Sequence, residues 1–189
     1  MTDGGRRQRL FLAVDLTPEV RHGLAAFLAD ELAGSPLPGR SADPRSWHIT
    51  LRYLGPVTVE QAERFVGDLA EHLRREPFTL GFGGLGAFPR PTRASVLWLD
   101  VARGADALAE LADEAEHAAQ ASGLEPEERP YRPHLTLARL RPPRDVSALV
   151  GSVDRFPLTQ TVDRVVLFAS HPGPDGPRYE PVAVLPLHR

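Results

Sequence analysis

Two short segments of the sequence repeat the same order of residue types. The first is His48-Ile-Thr-Leu51 and the second is His134-Leu-Thr-Leu137, 86 residues further along the chain. Each segment lies in an apolar run that is typical of a β-strand. Because both copies also share the aliphatic residue inside and the leucine at the end, we interpret the repeat as a paired site.

Strand geometry gives this spacing a chemical meaning. Side chains alternate between the two faces of a strand, so His48 and Thr50 point to one face, as do His134 and Thr136. The aliphatic residues between them point to the other face, toward a core. If the two strands lie side by side, two imidazoles and two hydroxyls converge on one cavity.

Such a cavity suits the hydrolysis of a phosphodiester. Displacement at phosphorus needs a base that takes a proton from water and an acid that protonates the leaving oxygen. Imidazole, with an ordinary pKa near 6.5, can do either at neutral pH. Threonine hydroxyls can donate hydrogen bonds to the non-bridging phosphate oxygens. This chemistry needs no metal ion, so we expect neither a metal nor a cofactor.

The elements that must position these residues are strands and amphipathic helices. The predicted strands are apolar runs bounded by polar, Gly or Pro residues: Arg9–Leu16, Trp47–Leu54, Phe78–Phe82, Ser95–Val101, Pro133–Leu140, Val162–Ala169 and Tyr179–Leu187. Four helices are predicted. The first begins at Thr17-Pro18 and the second at the capping box Thr58/Gln61, and the other two cover Ala105–Ala121 and Val146–Val150. Loops or turns are predicted at 35–44, 83–92 and 171–177, which are rich in Gly and Pro.

This order of elements predicts an α+β fold, because strands and helices do not alternate strictly. Both His-x-Thr-Leu segments follow an amphipathic helix. We therefore expect residues 1–189 to form a single domain with two similar lobes that meet at a cleft.

The composition narrows the class of protein. A net charge of −3 argues against a uniformly basic nucleic-acid-binding surface, and all 22 basic residues are Arg, which a GC-rich genome explains most simply. The absence of cysteine excludes disulfides and thiolate chemistry. No apolar run is long enough to span a membrane or to act as a signal peptide, so we expect a cytoplasmic monomer with no membrane partner.

Together, these segments resemble the two-histidine (2H) phosphoesterase superfamily, and within it the bacterial RNA 2′,3′-cyclic phosphodiesterases, historically called 2′-5′ RNA ligases. Besides the two His-x-Thr-Leu motifs, the resemblance includes four further stretches: Arg9–Asp15, Arg129–Arg139, Val165–Ser170 and Arg178–Pro181. It therefore runs nearly from end to end of the chain.

The resemblance implies two mainly antiparallel sheets around a central cleft, related by a pseudo-twofold axis, with helices outside. It implies hydrolysis of RNA or nucleoside 2′,3′-cyclic phosphates to 2′-phosphates, with His48 as proton donor and His134 as proton acceptor. It further implies that Thr50 and Thr136 bind phosphate oxygens, that Arg139 contacts phosphate and that Tyr53 stacks on a base.

Strict alternation conflicts with two of these roles. Tyr53 is out of phase with His48, and Arg139 is out of phase with His134, so both should face away from the cleft. A β-bulge after each motif would turn them back. Without a bulge, Arg52 is the side chain that alternation places beside His48 and Thr50.

The remaining polar residues have simpler interpretations. We interpret Trp47 and Arg132 as structural, and the acidic face of Ala105–Ala121 as solvated rather than metal-binding. The five histidines outside the motifs are interpreted as structural or solvated: His22, His72, His117, His171 and His188.

Three alternatives to hydrolysis of cyclic RNA ends stay open. The same cleft could act on another cyclic phosphate or a 2′-5′ linked oligonucleotide, or could join RNA ends by reversal of the chemistry. From a different class, the chain could be a non-catalytic module that binds RNA ends.

Overall fold

In a computed structural model, residues 7–153, 155–174 and 176–188 are described. Nine strands and four α-helices make up this part of the chain: β1 Gln8–Asp15, α1 Pro18–Glu31, β2 Arg40–Ser41, β3 His48–Val57, α2 Val59–His72, β4 Phe78–Phe88, β5 Ala94–Arg103, α3 Ala105–Ala121, β6 His134–Arg144, α4 Ser147–Val150, β7 Thr159–Val162, β8 Arg164–His171 and β9 Arg178–Pro186. Two 3-10 turns add Pro44–Ser46 and Pro91–Arg93. The α+β class predicted from the sequence is confirmed.

The strands form two sheets. Sheet A has the order β3-β1-β8-β9, and sheet B has the order β2-β6-β5-β4-β7. Every pair of neighbouring strands in both sheets is antiparallel. The two histidine motifs thus lie in different sheets, on β3 at the edge of sheet A and on β6 in sheet B.

Local signals explain where the first two helices begin. The hydroxyl of Thr17 accepts a hydrogen bond from the backbone N–H of Val20 at the start of α1, where Pro18 occupies the first turn. Thr58 and Gln61 form the expected capping box at the start of α2. Because α2 and α3 pack against each other and α3 lies against β3, the helices support the motif strand from behind.

The core is formed by the apolar faces of both sheets and by the buried sides of α1, α2 and α3. Ile49 and Leu135, the aliphatic residues inside the two motifs, are fully buried in it. A smaller apolar cluster joins β4, β5, β6 and the residue before α4. Within the described residues, no helix combines the length and apolar character needed to cross a membrane.

The predicted turn at 83–92 is too long: residues 83–88 belong to a strand, and the connection between β4 and β5 lies at 89–93. β4 continues to Phe88, and its glycines serve packing between strands. A Cβ atom on Gly86 would overlap the indole ring of Trp98, the residue directly opposite it on β5. The glycine is needed for the close approach of a large side chain and does not mark a turn.

The predicted strand Val162–Ala169 is two strands in different sheets. Val162 ends β7 at the edge of sheet B, and after Asp163 the chain enters β8 in the interior of sheet A. β7 is mostly polar, with the sequence Thr-Gln-Thr-Val, so only its last residue joined the apolar run from which one strand was predicted. The two-residue strand β2 was also not predicted, since it lies in the Pro- and Gly-rich stretch 35–44.

Candidate active site

His48 and His134 are the first residues of β3 and β6. The first seven residues of the two strands have the same order of burial. The His and Thr of each motif are half-buried, and the residue after each of them is buried. The next three residues are buried, exposed and buried. The two motifs are therefore structural equivalents in the two sheets, as a pseudo-twofold arrangement requires.

A β-bulge follows each motif. On β1, Ala13 is opposite Thr50 and Leu12 is opposite Arg52, so Leu51 has no partner. On β5, Trp98 is opposite Thr136 and Leu97 is opposite Ala138, so Leu137 is likewise extra. An extra residue reverses the alternation that follows it.

The bulges return the next side chains to the face of the histidines. Tyr53 is opposite Phe11, whose ring contacts the imidazole of His48, and Arg139 is opposite Val96. The expectation from strict alternation, that Tyr53 and Arg139 face away, is therefore wrong. Alternation fails because it assumes an unbroken strand ladder, and the break depends on the neighbouring strand.

Arg52 does not lie beside the motif residues, and its placement there by alternation is also wrong. Its side chain is buried, with 8% of the residue exposed, and it faces α3. The guanidinium donates hydrogen bonds to the carboxylate of Glu116, to the backbone carbonyl of Tyr53 and, at 2.6 Å, to the carbonyl of Glu125. These contacts fix the bulge and the loop that leads toward β6.

Both imidazoles are held by the same type of hydrogen bond. Nδ1 of His48 lies 2.7 Å from the backbone carbonyl oxygen of Ser46, and Nδ1 of His134 lies 2.7 Å from that of Arg132. A carbonyl oxygen can only accept, so Nδ1 carries the proton in both rings. Nε2 is then the atom that can take up or release a proton, in the same tautomer at both positions.

Aromatic side chains surround each imidazole. Phe11 and Tyr179 contact His48, with ring centroids 4.8 and 5.1 Å away. Phe88 and Trp98 contact His134 at 5.1 and 6.0 Å. These apolar walls restrict the orientation of the rings and keep part of each ring from water.

Burial lowers the pKa of both histidines. For His48, the hydrogen bond to Ser46 and the charge of Asp15 oppose this effect, while the charges of Arg21 and His134 add to it.

For His134, burial is again the largest cause of the lowered pKa. The hydrogen bond to the carbonyl of Arg132 opposes burial, whereas the positive charges of Arg132 and Arg139 lower the pKa further. Both histidines are therefore biased toward the neutral form when no anion is bound.

Both motif strands line a cavity of about 210 Å³, which we call the central cavity. Its wall includes four of the predicted site residues: His48, Thr50, Thr136 and Arg139. His134 precedes Thr136 by two positions on β6 and shares its face. Tyr53 is 50% exposed and lies outside the wall of the central cavity.

Tyr179 and Arg40 are among the wall residues for which no role was predicted. Tyr179 lines the central cavity and contacts His48 edge-on, and Arg40 on β2 lies opposite Arg139 on β6. Tyr179 belongs to the segment Arg178–Pro181, so the resemblance marked it without assigning it a role. No local signal distinguishes Arg40, because only the pairing of β2 with β6 brings it to the cavity.

The residues interpreted as structural have mixed surroundings. Trp47 is buried in the core, and the guanidinium carbon of Arg132 lies 4.5 Å from the centroid of the Trp98 ring. The five other histidines are exposed, and among the described residues no group of three or more His, Asp or Glu side chains could hold a metal ion.

The sequence of the chain matches a family model over residues 11–174, and that model describes the 2′-5′ RNA ligase superfamily. The chain belongs to this superfamily. The relationship predicted from the paired motifs is thereby confirmed.

Relatives in the 2′-5′ RNA ligase superfamily are similar over most of their length. The chain is 38% identical over 128 residues to the RNA 2′,3′-cyclic phosphodiesterase of Aeropyrum pernix, which covers 68% of this chain and 72% of the relative. It is 32% identical over 176 residues to the Escherichia coli protein of the same name, covering 93% and 94% of the two chains.

The fold agrees with solved structures of the superfamily. The crystal structure of E. coli LigT in apo form superimposes with a TM-score of 0.79 at 29% identity, covering 98% of this chain and all of LigT. The crystal structure of LigT complexed with 3′-AMP gives the same TM-score of 0.79, at 28% identity.

Proposed function

We propose that this protein hydrolyses 2′,3′-cyclic phosphates at RNA ends to 2′-phosphates, with His48 and His134 as acid and base. The observation that carries the proposal is the equivalent placement of two imidazoles, each held through Nδ1 with Nε2 available. Relatives named RNA 2′,3′-cyclic phosphodiesterases, similar over most of the chain, support the choice of substrate.

In the proposed reaction, a water molecule attacks the phosphorus of the cyclic phosphate. Nε2 of His134 takes one proton from the water as the new P–O bond forms. The bond between phosphorus and the 3′ oxygen breaks, and Nε2 of His48 delivers a proton to that oxygen. The products are a 2′-phosphate and a free 3′ hydroxyl, and the two histidines exchange their protonation states.

The surrounding charges support this division of roles. Arg132 and Arg139 lower the pKa of His134, which favours the neutral base, whereas the carboxylate of Asp15 favours the protonated form of His48. Asp15 is itself ion-paired with Arg21, which acts in the opposite direction on His48. A bound phosphate anion adds negative charge beside both imidazoles and raises the pKa of each.

The phosphate group is expected to lie between the two motif strands. The hydroxyls of Thr50 and Thr136 and the guanidinium of Arg139, which all line the central cavity, are the donors available to its non-bridging oxygens. Donors placed in advance stabilise the charge that develops in the transition state. Tyr53, which pairs with Phe11 and is 50% exposed, is proposed to stack on a base outside the central cavity.

Substitution of the histidines tests the proposal. His48→Ala and His134→Ala should each lower kcat for a nucleoside 2′,3′-cyclic phosphate by about 10²–10⁴-fold, since each removes one proton transfer. His117→Ala, at an exposed position on α3, is the matched control and should retain full activity. Full activity in either motif variant would exclude the two-histidine mechanism.

We further infer that the reaction needs no metal ion, because two imidazoles supply both proton transfers. Activity should survive dialysis against a chelator, with the metal content checked by elemental analysis. Loss of activity on chelation that added metal restores would point to a metal-dependent hydrolase.

The product distinguishes this reaction from its alternatives. A panel of nucleoside cyclic phosphates, another cyclic phosphate and a 2′-5′ linked dinucleotide, with products identified as 2′- or 3′-phosphates, separates the activities. A 3′-phosphate product would reverse the leaving-group assignment, and tight binding of cyclic ends without turnover would indicate a binding module.

A further inference from the structure

Two larger cavities adjoin the central cavity on one side. The nearer one, of about 410 Å³, shares five of its lining residues with the central cavity, among them Asp43 and Tyr179. The farther one, of about 520 Å³, shares Arg178 and Tyr179 with the nearer. We call the two together the outer groove. Tyr179 lines all three spaces, so the groove leads directly away from His48.

A ligand larger than a cyclic phosphate and its ribose must extend from the central cavity into the outer groove. The central cavity, at about 210 Å³, is smaller than the roughly 300 Å³ at which pockets for drug-sized ligands begin. The outer groove adds two spaces that are each larger than the central cavity. A chain that continues beyond the cyclic end therefore has an open path along the surface.

The arginines along this path can bind phosphate. Arg139 and Arg40 line the central cavity, and Arg178 lines both parts of the outer groove. None of these three guanidiniums makes a hydrogen bond or an ion pair with another residue that the structure describes. Unpaired arginines in a row suit a ligand that carries one phosphate per unit length.

The two acidic residues in the outer groove each have a side-chain partner other than Arg178. The carboxylate of Asp43 binds the guanidinium of Arg45 through two N–H groups, and Glu180 lies 3.1 Å from Nε2 of His171. Arg178 is therefore the guanidinium of the outer groove that has no carboxylate partner among the described residues and can turn to a phosphate.

We propose that the outer groove binds the single-stranded RNA on the 5′ side of the cyclic end, with Arg178 contacting the phosphodiester next to the terminal nucleotide. This inference rests on the proposed function, because it takes the cyclic phosphate to lie in the central cavity. It makes the preferred substrate an oligonucleotide rather than a free cyclic mononucleotide.

The experiment compares adenosine 2′,3′-cyclic phosphate with a dinucleotide and a tetranucleotide ending in the same group. For the wild-type protein, kcat/KM should be higher for both oligonucleotides and should fall more steeply with salt than it does for the mononucleotide. Arg178→Gln should lower the ratio of dinucleotide to mononucleotide kcat/KM about fivefold and reduce the salt slope for the dinucleotide by about 0.7.

Arg74→Gln is the matched control, since Arg74 follows α2, outside the lining of the three cavities. It should leave both the ratio and the slope unchanged. Equal kcat/KM values for mono- and oligonucleotides, or equal effects of the two substitutions, would overturn the proposal.

A binding measurement separates this inference from the proposed function. The Kd of a fluorescent tetranucleotide ending in a 2′-phosphate, measured by anisotropy, should rise about fivefold in Arg178→Gln, whether or not the protein turns over a substrate. If no cyclic phosphate is hydrolysed but this shift occurs, the proposed function is wrong, whereas binding of RNA in the outer groove is supported. If hydrolysis occurs without the shift, the proposal that the outer groove binds RNA is wrong.

Discussion

At the scale of single residues, the site depends on the free Nε2 atom of each imidazole. Backbone carbonyls two residues before His48 and His134 bind Nδ1, so the orientation of each ring is set by the chain that enters the strand. For the proposed acid–base catalysis, this fixed tautomer matters as much as the residue type, because it leaves Nε2 as the nitrogen that exchanges a proton.

The lowered pKa values predict an acidic optimum for the free enzyme. The proposed reaction needs neutral His134, which exists above its pKa, and protonated His48, which exists below its pKa. Burial lowers the pKa of both groups below the ordinary 6.5, so the optimum of kcat/KM should lie below pH 6.5. The pH profile of kcat/KM measures this directly, and an optimum above pH 7 would contradict it.

The profile of kcat should differ from that of kcat/KM. Bound cyclic phosphate raises the pKa of His48, so the protonated acid persists to higher pH in the complex than in the free protein. The optimum of kcat should therefore lie at higher pH. Identical profiles would mean that the phosphate does not interact with the imidazoles.

The motif threonines provide a second prediction at this scale. Thr136→Val keeps the shape of the side chain but removes the hydroxyl donor from the central cavity, and should lower kcat about 10²-fold. Thr136→Ser should recover most of the activity. Thr161→Val, at an exposed position on β7, is the control. Equal loss in the Val and Ser variants would indicate a packing role for Thr136 instead.

At the scale of elements, the two bulges and the Arg52–Glu116 pair decide which side chains surround the histidines. Glu116 on α3 binds Arg52 of β3 through one carboxylate oxygen and the backbone N–H of Glu127 through the other. The loop after α3 leads to Arg132 and His134. The pair therefore connects the bulge of one motif strand with the segment that enters the other.

Removal of Arg52 from its pair with Glu116 should lower both the stability and the activity of the protein. Arg52→Met leaves the carboxylate of Glu116 beside an apolar side chain and removes the bond to the carbonyl of Tyr53, so we expect the free energy of unfolding to fall by about 3 kcal/mol. Because Arg52 positions the site without touching the substrate, kcat/KM should fall mainly through KM. Chemical denaturation and steady-state kinetics measure the two effects.

Two further variants test the reason for this loss. Addition of Glu116→Gln to Arg52→Met should restore part of the stability, because no unpaired carboxylate then remains. Arg75→Met removes a more exposed ion pair with Glu110 of the same helix and should cost less than about 1 kcal/mol. A similar loss in Arg52→Met and Arg75→Met would contradict a special role for the buried pair.

At the scale of the whole molecule, the two halves of the chain exchange strands. Sheet A combines β1 and β3 with β8 and β9 from the far end of the chain, and sheet B combines β2 and β4 with β5, β6 and β7. Neither half contains a complete sheet of its own. The cavity between the motif strands therefore requires the full chain.

This arrangement predicts a single cooperative unfolding transition. The only two tryptophans report on different regions, since Trp47 precedes β3 and Trp98 lies on β5. The fluorescence of Trp47→Phe and of Trp98→Phe should each follow the far-UV circular dichroism of the same variant through one transition. A tryptophan signal that melts apart from the circular dichroism would show that the lobes unfold independently.

Local periodicity was sufficient to predict the motif residues, the α+β class and most elements. Histidine and threonine at a spacing of two share a strand face wherever the strand lies, and capping signals such as Thr58 and Gln61 act within a few residues. These features depend on short-range sterics and hydrogen bonding. The sequence alone therefore determined which residues could form the paired site.

The tertiary structure decided what those residues meet. Leu51 and Leu137 are left unpaired by the register of their strands against β1 and β5, and the resulting bulges turn Tyr53 and Arg139 toward the histidines. Arg52 faces α3 for the same reason. Strand register, the crossing between β7 and β8 and the arrival of Arg40 at the cavity all depend on contacts between residues far apart in the chain, which local periodicity does not encode.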